Sequence, residues 1–446
     1  MQQEIQKTKL KNGITILTDK MPSSHSVAIG IWIPRGSRHE SKENSGLSHF
    51  YEHLVFKGTK NRTAFEIASA LEDRGGQLEA YTTRQETGFY AQVVPKDTFL
   101  ALEVMADMIM EPLFAKKDIS KERKVIIEEI RSYEDIAEEC AADLFYATHY
   151  STCGLSSPIA GTVSSVRRLT EEALLKYREQ VISEIPLYIC AAGNINHEKL
   201  VEKCKQLFHS KKSAAKKFQN DYSITPSLRI SSKPDLQQSS LVFGTSFKKE
   251  NLSADFRYIL SLFNVAFGAG MSSRLFQKIR EEHGLAYSVY STTDVFSDSY
   301  GFSIALATDP NKLEKAFQLT KDEFQKFMEK GFSENELKRT KRGILGSLEI
   351  GSDNTEKRLL RLAEHTLHFG SYQTIDKVKE SFQNLDNKKI LDKVKEVTHR
   401  DLLDILPELD QDLLKGAISG EKFSELFFAN CKCDKIAATV KEIMGE

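Results

Sequence analysis

One pattern of elements occurs twice in this sequence, and the repetition limits the folds open to a chain of 446 residues. GFYAQVVPKDTFLALEVMADMI begins at Gly88 and GFSIALATDPNKLEKAFQLTKDEF begins at Gly301. Each reads as a strand, a turn containing Asp and Lys, and an amphipathic helix. Their offset is 213 residues (301 minus 88), which suits two copies of one α+β domain in 446 residues. A chain of this length also exceeds the size at which a single hydrophobic core keeps growing. Between the copies, His209 to Asp235 turns polar (HSKKSAAKKFQNDYSITPSLRISSKPD) and reads as the linker. The expected division is an N-terminal domain over 1–215, a linker over 216–235 and a second domain over 236–446.

Local signals fill in the first copy. GITILTD and SVAIGIWIP, rich in Ile and Val, predict a central strand pair. From Gly46, GLSHFYEHLVFKG places Leu47, Phe50 and Leu54 at helical spacing, with Gly58 as a stop. A second helix opens at Thr63 with Glu66 three residues on, a capping box, and closes at Gly75-Gly76. Strands QLEAYTT and GFYAQVV follow, then helices over about 96–110 and 120–148, the second unbroken by Gly or Pro. A helix over 171–181 and a strand LYICAAG complete this half.

Charge excludes some functions. Lys and Arg number 62 against 63 Asp and Glu, so nothing electrostatic points to nucleic acid or an anionic membrane. The N-terminus lacks an apolar core behind a basic start, and no stretch nears the roughly 18 apolar residues of a membrane span; a cytoplasmic location is the simplest expectation. Six cysteines without CxxC spacing read as free thiols, Cys431 and Cys433 included.

His49-Phe-Tyr-Glu52-His53 carries the chemistry. On a helix, His49 and His53 lie one turn apart on one face, which suits two imidazoles converging on a metal. Glu52 sits beside them, where a carboxylate can take a proton from a metal-activated water. Catalytic zinc usually takes three protein ligands, so a third is needed elsewhere. In ERKVIIEEI, Glu122 and Glu129 are two turns apart on one stripe, with Val125, Ile126 and Ile130 beside them, and both are candidates. A histidine pair at this spacing is more often a surface or packing feature, and His365 with His368 is read that way.

HFYEH within GLSHFYEHLVFKGT resembles the inverted zinc motif HxxEH of the pitrilysin-like (M16) metallopeptidases. That family includes insulin-degrading enzyme and mitochondrial processing peptidase, and this chain looks most like the processing-peptidase-like bacterial members. The resemblance implies a third ligand about 75 residues on, and Glu129 lies 76 after His53 (129 minus 53). It implies one zinc per chain, Glu52 as general base, and Glu122 as a carboxylate that orients the ligands; by composition alone Glu122 reads as a solvated surface residue. GMSSRLFQKIREEHGLAYSVYS resembles the family's C-terminal signature, whose Arg and Tyr, here Arg280 and Tyr287, reach the active site and stabilise the oxyanion and substrate backbone. Composition alone reads this stretch as a helix ending at Gly284, then a strand.

By the same resemblance the two domains form a clamshell, and an extended peptide pairs with QLEAYTT, with Leu78, Ala80 and Tyr81 as backbone partners. Peptide substrates and a homodimer are implied. The departures are Glu79, where the family commonly has Asn, and QVISEIPLYIC, which lacks the usual aromatic-Pro-Asn pattern. A carboxylate at 79 could repel an oxyanion. Two other classes compete: a noncatalytic relative, which typically loses the motif, and a processing subunit that needs a partner. His49, Glu52, His53 and Glu129 are all present.

Overall fold

Both faces of the strand Val27–Ile33 are buried, which is why it reads as a continuous apolar run instead of an alternating one. Val27, Ile29, Ile31 and Ile33 point to one side, Ala28 and Trp32 to the other. A sheet buried on both faces needs a layer of helices on each, and the source of those layers organises this fold.

The computed structural model describes residues 4–151, 153–208, 227–231, 238–398 and 425–429. The chain divides into two compact units, each discontinuous in sequence. The first comprises Met1–Arg131, Cys153–Asp221 and Leu348–Ile375; the second comprises Ser132–Thr152, Tyr222–Ser347 and Asp376–Glu446. The linker expected over 216–235 is described only at 227–231, and Cys431 and Cys433 lie outside the described residues.

In the first unit the strands are β1 (Glu4–Lys9), β2 (Thr15–Lys20), β3 (Val27–Ile33), β4 (Gln77–Thr82), β5 (Thr87–Val93) and β6 (Tyr188–Gly193). They form a sheet in the order β1-β2-β6-β3-β5-β4, antiparallel except for β2 with β6. The helices begin with α1 (Leu47–Val55), α2 (Ala64–Glu72), α3 (Thr98–Met110) and α4 (Lys116–Glu134). The chain then runs through α5 (Ala137–His149) and returns as α6 (Val163–Arg168), α7 (Glu171–Ser183) and α8 (His197–Leu207). One face of the sheet packs on α1, α3 and α7 in a core that includes Ile29, Phe50, Leu54, Phe89, Met105 and Leu174.

The second unit has β7 (Ser227–Ser231), β8 (Ser239–Lys248), β9 (Ala286–Val295), β10 (Ser299–Thr308) and β11 (Glu425–Ala429). Their order is β7-β11-β8-β10-β9, with only β11 and β8 parallel. Its helices are α9 (Phe256–Phe267), α10 (Leu313–Lys330), α13 (Ile375–Gln383) and α14 (Asn387–Thr398), while α11 (Glu334–Gly351) runs into α12 (Thr355–Phe369). One sheet face carries an aromatic core in which Phe263 meets Phe302 at 4.9 Å and Phe327 at 4.7 Å between ring centroids.

Each unit completes its second layer with a helix from the other half of the chain. Leu359, Leu362 and Ala363 of α12 cover Leu17, Ala28, Trp32, Cys190 and Ala192 in the first unit. Ala141 and Phe145 of α5 pack on Val242 and Ala305 in the second. Polar contacts lock α12 in register: Arg358 Nε donates to Asp19 Oδ2 at 2.7 Å and Gln92 Nε2 to Thr355 Oγ1 at 3.1 Å.

The repeat seen in sequence is physical. β5, the turn Pro95–Asp97 and α3 match β10, the turn Pro310–Lys312 and α10 in order and type. The mixed α+β class follows from both units. Three local expectations change. GITILTD and SVAIGIWIP do not pair, because β6 lies between them and bonds to both. The single helix expected over 120–148 is two, broken at Asp135–Ile136, where the backbone at Ile136 is extended. The helix before Gly284 is π-helical over Phe276–Glu282.

Candidate metal centre and active site

The site rests on how α1 starts. Gly46 precedes it at φ 93° and faces Gly161 at φ 75°. A Cβ on Gly46 would lie 2.6 Å from the Ala160 carbonyl oxygen, and one on Gly161 2.5 Å from that of Ser45, so glycine is required at both. Gly46 offers no capping side chain, and Glu40 takes that part: it accepts from the amides of Gly46 at 2.7 Å and Ser48 at 2.6 Å. Burial pushes the Glu40 carboxyl up to about 7, with the amide hydrogen bonds opposing.

With Phe50, Tyr51, Leu54 and Val55 buried, α1 presents His49, Glu52 and His53 together on its remaining face. His49 and His53 have ring centroids 4.7 Å apart. α4 buries Ile126 and Ile130 and brings Glu129 to both imidazoles. His49 Nε2 lies 3.7 Å from Glu129 Oε1, and His53 Nε2 lies 3.5 Å from Glu129 Oε2. Ligand atoms about 2.1 Å from a tetrahedrally held ion are about 3.4 Å apart, so these separations fit zinc. Ligand atoms of the three residues all lie within 4.8 Å of one another, the one such cluster among the described residues.

The surroundings favour metal binding. Burial, aided by His53, holds His49 down to about 4, so its imidazole is neutral and able to ligate. At His53 burial works downward, but hydrogen bonds with Glu129 and Glu122 outweigh it and hold the ring above its ordinary value. Glu122 is 2 % exposed, not a solvated surface residue; its Oε2 lies 3.3 Å from His53 Nδ1 and its Oε1 3.1 Å from Lys57 Nζ. That pairing orients the ring and leaves Nε2 for a metal. The neighbouring Glu128 points outward to Arg131 at 2.6 Å. The Glu52 carboxyl is raised by burial, against the pull of a 2.5 Å hydrogen bond from the Thr82 hydroxyl.

β4 closes one edge of the sheet, bonded to β5 on one side and to no strand on the other among the described residues. Leu78 and Ala80 turn their side chains into the core shared with α1, and the Tyr81 hydroxyl accepts from Trp32 Nε1 at 2.9 Å. Glu79 lies on the opposite face from Leu78, Ala80 and Thr82, alternating with them along the strand, so its carboxylate is not aimed at Glu52. In the second unit, Arg280 and Tyr287 meet each other: Arg280 Nη1 donates to the Tyr287 carbonyl oxygen at 2.8 Å, and its guanidinium lies 5.3 Å from the Tyr287 ring centroid. Tyr287 is 74 % exposed. His368 makes polar contacts instead, with Nε2 3.4 Å from Glu86 Oε2 and Nδ1 3.3 Å from Gln85 Nε2.

Three residues of the site escaped the sequence reading. Thr82 could have been found from the two-residue period of β4, and Lys57 from its place four residues after His53. Nothing in the sequence marks Glu40, whose role depends on how the loop between it and Gly46 folds back on the head of α1.

Fold and donor set together define a class of protein: two α+β units with a two-histidine, one-carboxylate metal centre in the first. The family model described as insulinase (peptidase family M16) matches residues 15–163, and that of the peptidase M16 inactive domain matches 168–344. A third, described as ribose-5-phosphate isomerase, matches 397–443. An uncharacterized zinc protease of Rickettsia felis is 34% identical over 395 residues, covering 88% of this chain and 94% of that one. One of Bacillus subtilis is 32% identical, covering 84% and 91%. Among solved structures, a protease from Helicobacter pylori superposes with TM-score 0.81 at 19% identity, covering 89% of this chain and 97% of that one. A chain of Candida albicans complex III2 superposes with TM-score 0.74 at 17% identity, covering 88% and 93%. The chain belongs to the M16 peptidase family.

Proposed function

We propose that this protein is a zinc-dependent endopeptidase that hydrolyses extended or unfolded peptides, with Glu52 as general base. The observation that carries this reading is the convergence of His49, His53 and Glu129 on one point, with Glu52 on the adjoining turn of the same helix. Zinc, which the family relatives are named for, would be held by those three residues and would supply Lewis acidity at the scissile carbonyl. Glu52 takes a proton from the attacking water and passes it to the leaving amine nitrogen. Glu122 and Lys57 hold the His53 ring in the orientation its ligand atom needs.

The free edge of β4 supports an extended peptide as substrate, added as a further strand. Because the side chains of Leu78, Ala80 and Tyr81 are engaged within the unit, their backbone is what a peptide would meet, and broad sequence tolerance follows. Arg280 and Tyr287, stacked on each other, are assigned to the substrate backbone and the oxyanion on the family likeness. The description of the second matched model as inactive agrees with the position of the metal-ligand cluster, which among the described residues lies in the first half.

Cleavage of a quenched fluorescent peptide by the purified chain tests the reading. Activity lost with chelator, restored by zinc and reduced to a small residual rate in Glu52→Gln is the expected outcome. Zinc binding without cleavage across a peptide library would instead favour a noncatalytic or partner-dependent role, a reading kept open because the same fold occurs in a chain of complex III2.

A further inference from the structure

The strand that would receive a peptide and the carboxylate that would serve as base are joined by a single hydroxyl. Thr82 is the last residue of β4, and its side chain shares a face with Leu78 and Ala80, toward α1. It donates to Glu52 Oε2 at 2.5 Å. A hydroxyl has one proton to give, and the other acceptor in reach, Thr87 Oγ1, is farther at 3.4 Å and neutral, so the carboxylate takes it. Thr87 in turn donates to the Arg35 carbonyl at 3.0 Å and does not compete for Glu52. Among the described residues this leaves Glu52 Oε1 as the oxygen without a protein hydrogen bond. A threonine on a strand is stiff at χ1, so the donor itself is held in place.

We propose that Thr82 is a positioning residue for Glu52: it binds Oε2, presents Oε1 to the reacting water, and ties the orientation of the base to the edge strand on which the peptide seats. This rests on the peptidase reading above. A carboxylate free to rotate would spend part of its time out of line, and misplacements of about 1 Å cost up to about 100-fold in rate. The effect belongs in kcat, because Thr82 touches the base and not the metal ligands.

The test compares wild type, Thr82→Val and Thr82→Ser in the zinc-loaded full chain, alone and combined with Glu52→Gln. Thr82→Val is expected to lower kcat on the order of 10- to 100-fold, with KM and zinc stoichiometry unchanged, and Thr82→Ser to recover most of the loss. In the Glu52→Gln background Thr82→Val should change the residual rate little, since there is no base left to orient. Independently of turnover, the Glu52 carboxylate band, located by infrared difference against Glu52→Gln, should move in Thr82→Val and stay in Thr82→Ser. Wild-type kcat and an unmoved band in Thr82→Val overturn the proposal while leaving the peptidase reading intact. Loss of zinc or of thermal stability in proportion to the loss of kcat overturns it in favour of a structural role. A wild type that binds zinc and cleaves no peptide overturns both.

Discussion

At the scale of single residues, the site divides into groups that hold the metal and groups that move a proton, and substitution should separate them. Glu122→Gln weakens the carboxylate behind His53 and should lower zinc affinity about 10- to 100-fold in a competition titration with a chromogenic chelator. Glu52→Gln, which touches no ligand atom, should bind zinc as wild type does while losing turnover. A different histidine governs stability toward acid. His149 is fully buried in the second unit, with Nε2 2.9 Å from Ser246 Oγ, and burial holds its ring down to about 4 from an ordinary 6.5. The unfolded chain therefore binds a proton between these values while the native state does not. Stability present above pH 6.5 is lost as pH falls toward 4, by something on the order of 3 kcal/mol. Urea midpoints measured from pH 7 to pH 5 should fall more steeply for wild type than for His149→Gln; parallel slopes would count against this account.

At the scale of elements, α12 and α11 make opposite demands. α12 is held by apolar contact: Leu359 and Leu362 are fully buried against Trp32 and Leu17. Truncating either to Ala should cost about 2–5 kcal/mol, read as a lower denaturation midpoint. α11 carries Gly343 and Gly346 in its interior, and among the described residues no neighbouring atom outside the helix's own backbone lies within 4 Å of where a Cβ would stand at either. No packing requires them, so Gly343→Ala and Gly346→Ala should each raise stability by about 0.5–1 kcal/mol. α11 also carries the chain from the second unit into the first, between Ser347 and Leu348. The helix α4 holds the corresponding crossing in the other direction, between Arg131 and Ser132, shortly before its end at Glu134.

At the scale of the whole molecule, the exchange of α5 and α12 makes each half of the chain incomplete. A fragment of residues 1–221 lacks Leu348–Ile375 and leaves Trp32, Ala28 and Cys190 without cover. It should fail to show a cooperative thermal transition by circular dichroism, and fusing 348–375 to it through a flexible linker should restore one. A fragment that melts cooperatively unaided would refute the dependence. This exchange is also where reading from sequence stopped. Periodicity and capping are local, and they located α1, the Thr63–Glu66 capping box of α2, the strands β4 and β5 and the repeat of β5–α3 as β10–α10. The spacing of His49, Glu52 and His53 is likewise local, because one helical turn decides that they share a face. What crosses the chain could not be read in that way. The insertion of β6 between β2 and β3, the break that sends α5 to the second unit, and the return of α12 to the first depend on which apolar faces find each other after collapse. The same holds within the site: the motif determined the ligands on α1, while only tertiary packing brought Glu122 behind His53 and Thr82 to Glu52, since each joins segments far apart in the sequence.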